Sequence, residues 1–267
     1  MRSADSAGRP FAGRAFETAP SPFAGDDGTA PPAVLAAHAA FAAGRAGPEA
    51  VVAALQDVRL LVPLLADVGE AGAHDGRLAH DPRAHGRHAG AGEGRAAAEL
   101  ALVTVAGPDG RRVLPAFSSA EAMAVWNPSA RPIPAPARQV ALGAAADGTE
   151  LVIVDPGSPT CIGLRRSALE SLARGLPRFP PWRDPAVRAA LAAPVRAEPA
   201  VADLVIGTDD PGATLEGAEV GVALVVHPVL DRDGLAALLD RVRAAWTADE
   251  LITARVDSLA VRIDPAR

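Results

Sequence analysis

Four of the six histidines lie close together in the sequence and are the side chains best suited to bind a metal ion. They are His74, His80, His85 and His88. Neutral imidazoles bind zinc and nickel, but structural sites usually stand on a rigid frame with cysteine or carboxylate partners. These histidines are unevenly spaced in a Gly-rich segment without hydrophobic periodicity, which indicates a solvated loop. We predict no metal site; elemental analysis of untagged protein tests the metal-carrying alternative.

The glycines that follow, Gly90, Gly92 and Gly94, superficially resemble a phosphate-binding loop. Such a loop needs a strand before the glycines and a helix directly after them, so that helix amides meet the phosphate. Here a loop precedes and a strand follows. We therefore predict no nucleotide site and no cofactor.

Nucleophilic catalysis requires a serine or cysteine beside a base on a firm element, and no such pair is visible. Ser158 lies in a turn, and Cys161 has no partner nearby in the sequence. We predict that the protein is not an enzyme and that Cys161 is a small buried residue. The alternative is an enzyme whose site is assembled from scattered residues, with His227, Asp155 and Cys161 as candidates.

Four acidic residues lie near one turn of the C-terminal segment: Asp209, Asp210, Glu216 and Glu219. Paired carboxylates can bind calcium or perform acid–base chemistry. Their spacing matches no calcium loop. We predict a solvated acidic turn.

The segment Phe179, Pro180, Pro181 and Trp182 is a candidate contact with a partner protein. Prolines stiffen the backbone, and an exposed aromatic side chain beside them can anchor a partner. Alternatively, Trp182 folds back as a lid on the core. Trp126 and Trp246 fall on helical apolar stripes and are predicted to be core residues.

Composition excludes several classes of protein. The net charge is −6 and both signs are scattered, so the basic stripe of a nucleic-acid-binding protein is missing. No apolar run approaches the ~20 residues of a membrane-spanning helix. The single cysteine excludes an internal disulfide and fits a reducing compartment. With no secretory signal visible, we expect a cytoplasmic protein without nucleic-acid or membrane partners.

The elements predict an α+β fold of two small mixed domains, each a sheet packed with helices. Residues 1–30 are expected to be a disordered tail, 31–193 the first domain with a flexible loop at 69–97, and 201–267 a C-terminal ββαβ domain after a linker at 194–200. In the first domain, the stretch at 100–105 has apolar residues on both faces, namely Leu100, Ala101, Leu102, Val103 and Val105, and predicts a central strand. Ser118 with Glu121, and Ser167 with Glu170, predict two helix-capping boxes.

Three stretches of the first domain resemble the SseB family: RLLVPLLADVGE, ELALVTVAGPDGRRVLPAFSSAEAMAVWNP and ALGAAADGTELVIVDPG. The resemblance, to the SseB N-terminal domain of actinobacterial type, covers about residues 51–184. It implies an α+β fold, a bacterial cytoplasmic protein and no established enzymatic activity. The C-terminal segment is similar to the family's C-terminal domain only loosely.

Together these observations lead us to expect a non-enzymatic binding or regulatory module that contacts another protein. The candidate surfaces are the Pro-rich bridge at 127–136, residues 179–182, and the exposed edge of the C-terminal sheet, where a partner strand could add. The oligomeric state, the partner and the pathway are not encoded in any recognisable motif.

Overall fold

The α+β class expected from the sequence is confirmed. The computed structural model describes residues 23, 25–65, 103–177 and 179–266. The predicted loop at 69–97, with its clustered histidines, and residues 1–22 of the predicted tail lie outside the described residues.

The described part of the chain contains both helices and strands, interspersed along its length. The helices are α1 (Pro32–Ala42), α2 (Pro48–Leu55), α3 (Ala120–Trp126), α4 (Ala137–Ala146), α5 (Arg166–Arg174), α6 (Pro185–Val195), α7 (Arg232–Ala248) and α8 (Glu250–Arg255). The strands are β1 (Arg59–Leu64), β2 (Val105–Ala106), β3 (Arg112–Ala116), β4 (Arg131–Pro136), β5 (Leu151–Val154), β6 (Ile162–Leu164), β7 (Val201–Gly207), β8 (Val220–Val226) and β9 (Leu259–Pro265). None of these helices combines the length and apolar composition needed to cross a bilayer.

A four-stranded sheet with the order β2-β3-β5-β6 forms the centre of the N-terminal unit. β3 and β5 are parallel, and the other pairs are antiparallel. Every residue of β5 is buried, because alternate side chains point to opposite faces and both faces are covered. Val152 and Val154 pack with the helices, whereas Leu151 and Ile153 pack with Leu215 from the C-terminal part of the chain.

The expectation of a central strand at residues 100–105 is wrong for the part that is described. Only Val105 and Ala106 form β2, and within the described residues β2 lies at the edge of its sheet. Burial of both faces does not require a strand on each side. Here Val105 is covered by side chains packed on the sheet, including the distant Leu215.

The Pro-rich bridge is a strand, which corrects the sequence interpretation. β4 pairs antiparallel with β1, and Pro134 lies opposite Leu61. Leu61 exchanges both of its backbone hydrogen bonds with Phe117 on its other side, so this position requires no donor from Pro134. Because the three prolines of β4 alternate, their missing N–H groups all fall on the same side of the strand.

Neither predicted capping serine caps its helix. The N-cap of α3 is Ser119, whose side chain accepts a hydrogen bond from the Ala122 N–H at 3.1 Å. Ser118 instead donates its hydroxyl to Asp155. Ser167 lies inside α5, after the N-cap Arg165, and donates to Glu219. Buried carboxylates distant in the sequence therefore compete successfully with the local cap.

Replacing Ser119 with alanine is expected to lower the free energy of unfolding by about 1 kcal/mol, because the Ala122 N–H loses its acceptor. Ser119→Gly should cost only a few tenths of a kcal/mol, since glycine is a favourable N-cap. Urea unfolding of both variants tests this assignment. Equal losses in the two variants would show that Ser119 does not act as the cap.

The C-terminal unit is a three-stranded sheet of order β7-β8-β9, covered on one face by helices. The predicted apolar stripe of α7 is confirmed, since Leu238, Val242 and Trp246 are buried. The Trp246 indole N–H donates to the Leu191 carbonyl at 2.9 Å. This places α6, which precedes the expected linker, in the same hydrophobic core as the C-terminal sheet.

The last residues of the predicted tail contact the N-terminal unit. Asp26 accepts hydrogen bonds from the Arg59 guanidinium, including one of 2.9 Å from Nη2 to Oδ1. The Ala120 N–H donates to the Gly28 carbonyl at 2.8 Å. The Arg59 hydrogen bond also lowers the pKa of the Asp26 carboxyl. These contacts extend the packed part of the chain into the predicted tail.

Candidate functional site

Residues 208–219, named here the junction loop, lie between β7 and β8 and contact the N-terminal sheet. The Gly163 N–H of β6 donates to the Ala213 carbonyl at 2.5 Å. Leu215 is only 4 % exposed and packs against Leu151 and Ile153, on the face of the N-terminal sheet opposite to the helices. A Cβ atom at Gly163 would lie 2.3 Å from Leu215 Cγ, so this close approach requires glycine. Ala213 and Leu215 have φ angles of +50° and +67°, a strained left-handed conformation for these residue types.

A buried ionic network joins the two units at the junction loop. Arg165 directly follows β6, and its Nη2 donates to Asp210 Oδ2 at 2.8 Å while its Nη1 donates to Asp257 Oδ2 at 3.1 Å. Arg111 donates to both Asp257 oxygens at 2.9 Å. Burial disfavours the ionised Asp257 carboxyl, but the hydrogen bonds and charges of the two arginines outweigh burial and hold its pKa below the usual value.

Glu219 is a second buried carboxyl at this junction. Its Oε1 accepts a hydrogen bond from Ser167 Oγ at 2.7 Å, and its Oε2 accepts the Asp257 N–H at 2.6 Å. Burial raises the pKa of Glu219 despite these two hydrogen bonds. The prediction of a solvated acidic turn is therefore wrong for Asp210 and Glu219, which are 5 % and 4 % exposed.

A small cleft, named here the junction pocket, lies beside this network. It is bounded by α2, α5, the junction loop and a short 3₁₀ turn at Pro181–Arg183, and its volume is about 60 Å³. Its apolar wall includes Val52, Ile162 and Ala168, and its polar groups include Arg165 and Glu219. The pocket thus combines a mostly apolar wall with a few buried polar groups, the usual composition of a binding site.

All four residues of the predicted partner contact line the junction pocket. Phe179 is 65 % exposed, Pro181 is buried, and the half-buried Trp182 packs against the C-terminal core. Sequence reasoning missed Arg165 and misjudged Asp210 and Glu219. The available signal was their position: Arg165 and Glu219 each adjoin a strand that is apolar enough to be buried.

The raised pKa of Glu219 predicts a pH-dependent contribution to stability. A carboxyl with a raised pKa in the folded state stabilises the fold below its ordinary pKa of about 4.5, and this contribution is lost as pH rises through the raised value. We expect the wild type to lose stability relative to Glu219→Gln as the pH is raised from about 4.5. Urea unfolding of both proteins across this range measures the difference. A difference that stays constant, or that grows in favour of the wild type, would contradict the prediction.

The three candidate catalytic residues lie on different parts of the fold, with Asp155 after β5, Cys161 before β6 and His227 after β8. Asp155 is 1 % exposed and accepts hydrogen bonds from Ser118 Oγ at 2.6 Å and from Thr160 Oγ1 at 2.8 Å. Burial raises the pKa of the half-buried Cys161 thiol, which disfavours the nucleophilic thiolate. His227 is exposed after the end of β8 in the C-terminal unit. Asp155 therefore holds a turn together. Its charge also adds to the rise in the pKa of the Cys161 thiol, and the Cys161 carbonyl oxygen lies 3.4 Å from His38 Nε2.

The sequence of most of the N-terminal unit matches a family model. The family model for the SseB protein N-terminal domain matches residues 32–171, a little over half of the 267 residues. The chain belongs to the SseB family. Comparisons with curated proteins and with solved structures found no match.

The boundary of the SseB domain passes through the junction pocket. Ile162, Arg165 and Ser167 lie within the matched residues, whereas Phe179 to Trp182 and the junction loop lie beyond them. The pocket is therefore built partly by the SseB domain and partly by the C-terminal unit.

Proposed function

We propose that this SseB-family protein is a non-enzymatic, cytoplasmic binding module that contacts a partner protein through the junction pocket. The partner would insert one apolar side chain, and Phe179 would cover it at the rim. The single observation that carries this proposal is the position of Phe179, a large aromatic residue 65 % exposed on the lining of a cleft between two packed units.

The size of the cleft favours a side chain over a small-molecule ligand. Pockets for drug-sized ligands and cofactors have volumes of about 300–1,000 Å³. The junction pocket has a volume of about 60 Å³, well below that range. A space of this size suits a single anchoring group of a larger interface, where a few buried contacts carry most of the binding free energy.

The rigidity of the rim also supports the proposal. Asp184 caps α6 through the Ala186 N–H at 2.9 Å and pairs with Arg255 of α8 at 2.7 Å, directly after the 3₁₀ turn. Pro181, two residues after Phe179, is buried, which fixes the backbone on one side of Phe179. An aromatic side chain on a fixed backbone loses little conformational entropy when a partner binds.

Site-specific photocrosslinking tests the proposal. A photoreactive phenylalanine analogue is placed at position 179 and, as a control, at position 229, because Val229 is 73 % exposed and does not line the pocket. We expect one protein to crosslink from position 179 and not from position 229. With that protein purified, Phe179→Ser should weaken binding about tenfold or more, and Val229→Ser should leave it unchanged.

Identical crosslinking patterns from the two positions would overturn the proposal. Equal affinity of wild type and Phe179→Ser for the purified protein would do the same. Phe179 is the better probe than Trp182, because Trp182 packs against the C-terminal core and its removal also lowers stability.

An enzyme remains the second candidate, and one observation favours it. Glu219 is a buried carboxyl with a raised pKa on the pocket lining, an arrangement common among general acids. Its two oxygens already accept hydrogen bonds from the protein, which supports a structural role. Glu219→Gln separates the two functions: a binding module retains its affinity for the crosslinked partner, whereas an acid catalyst binds but no longer converts its substrate.

A further inference from the structure

A second and larger concavity lies between α6 and β7, on the C-terminal unit. This α6–β7 groove has a volume of about 740 Å³. Its apolar lining includes Ala192 and Val195 from α6 and Leu204 and Ile206 from β7. The volume falls within the range of about 300–1,000 Å³ that accommodates a ligand much larger than one side chain.

β7 is an edge strand in the described structure, since β8 is its one strand neighbour there. Two of its backbone groups are occupied by side chains. The Leu204 N–H donates to Asp203 Oδ1 at 2.7 Å, and the Ile206 carbonyl accepts from Arg188 Nη1 at 3.1 Å. Leu204 and Ile206 are two residues apart, so these groups lie on the same side of the strand. Asp203 and Arg188 thus take the place that the backbone of an adjacent strand would occupy.

The groove is positively charged on a protein whose net charge is −6. Its lining contains Arg183, Arg188 and Arg196 but one acidic residue, Asp203. Arg183 is paired with Glu49 at 2.8 Å. Arg188 donates to two backbone carbonyls, and neither it nor Arg196 forms an ion pair with another described residue. Two guanidinium groups therefore remain able to bind carboxylates.

We propose that the α6–β7 groove binds an extended acidic segment of a partner protein by strand addition along β7. The backbone of the segment would take over the Leu204 N–H and the Ile206 carbonyl. Its carboxylates would pair with Arg188 and Arg196, which suits the fork geometry of guanidinium groups. This surface is separate from the junction pocket, so the inference goes beyond the function proposed above.

Fluorescence anisotropy with two labelled ten-residue peptides tests the inference on the full chain. One probe alternates glutamate and valine, and the other alternates lysine and valine. We expect saturable binding of the glutamate peptide, and binding of the lysine peptide at least about tenfold weaker, because the groove offers two unpaired guanidinium groups. The amide signal of Leu204 should shift, and its hydrogen exchange should slow, when the glutamate peptide binds.

Charge reversal provides the matched comparison. The R188E/R196E variant should lose at least about tenfold in affinity for the glutamate peptide and gain affinity for the lysine peptide. R232E/R243E changes the net charge by the same amount at exposed positions of α7 and should bind as the wild type does. Phe179→Ser, which affects the junction pocket, should also leave peptide binding unchanged, so the two proposals fail separately.

Three results would overturn the inference. They are equal binding of the two peptides by the wild type, equal binding of the glutamate peptide by R188E/R196E and R232E/R243E, and binding that leaves the Leu204 amide unaffected. In each case Asp203 and Arg188 would act only to protect the strand edge from unwanted pairing.

Discussion

Replacing Arg165 with methionine should lower the free energy of unfolding by about 3–5 kcal/mol. The Arg165 side chain is 8 % exposed and contacts both Asp210 and Asp257. Methionine preserves most of the volume but leaves Asp210 without a cationic partner in a buried position. The desolvation of an unpaired carboxylate, rather than the loss of one contact, accounts for the size of the effect. Urea unfolding at neutral pH measures it.

Arg174→Met is the matched control for Arg165→Met. Arg174 lies at the other end of α5, pairs with Glu170 at 2.8 Å and has a side chain that is 62 % exposed. Solvent screens this pair, so its loss should cost about 0–1 kcal/mol. Adding Asp210→Asn to Arg165→Met should recover part of the lost stability, because it removes the unpaired charge. Similar losses in the two single variants would show that the buried network contributes no more than a surface ion pair.

Replacing Leu215 with alanine should cost about 2–5 kcal/mol of unfolding free energy. Leu215 belongs to the junction loop, yet it is buried among side chains of the N-terminal sheet. Its removal leaves a cavity between the two units, and the left-handed conformation at φ +67° prevents the loop from collapsing freely into that space. Urea unfolding, followed by tryptophan fluorescence to which Trp126 of the same cluster contributes, reports this loss.

Leu142→Ala is the control for Leu215→Ala. It makes the same substitution at a position of α4 that is 50 % exposed, and alanine is a favourable helix residue. Its effect should stay within about 0.5 kcal/mol. If Leu215→Ala costs no more than Leu142→Ala, the junction loop does not hold the units together.

Both predictions concern the same part of the molecule. Arg165 forms ion pairs and Leu215 forms apolar contacts between the two units, and the junction pocket lies beside these contacts. Destabilising the junction should therefore also weaken partner binding, whereas Phe179→Ser should weaken binding without loss of stability. This contrast separates a structural effect at the pocket from a direct contact.

Local patterns in the sequence were sufficient to predict most of the helices and strands, although not β4, whose prolines indicated a bridge between elements. The apolar stripe of α7, the buried strand β5 and the glycine after α5 at φ +66° are each determined by a few neighbouring residues. The α+β class follows from the same patterns, because the alternation of apolar and polar residues reports which face of an element meets the core. The SseB family was indicated instead by the resemblance of three stretches of the first domain, and the family model matches residues 32–171.

Long-range partners could not be read from those patterns. Ser118 has the right type and spacing for a helix cap, but the carboxylate of Asp155, 37 residues away, takes its hydroxyl. Asp210 has the composition of a solvated turn, but Arg165, 45 residues away, neutralises it in a buried position. Whether a polar side chain meets water or a partner depends on where distant segments pack, and spacing along the chain carries no information about that.

The sequence by itself thus determined most of the helices and strands, the fold class and the segment around Trp182 as a point of interest. The tertiary structure alone decided that this segment lines a pocket, that Glu219 and Arg165 lie beside it, and that a positively charged groove follows the edge of β7. The physical reason is that backbone preferences act over a few residues, whereas burial and charge pairing depend on contacts between segments as far apart as Arg165 and Asp257, which are separated by 92 positions.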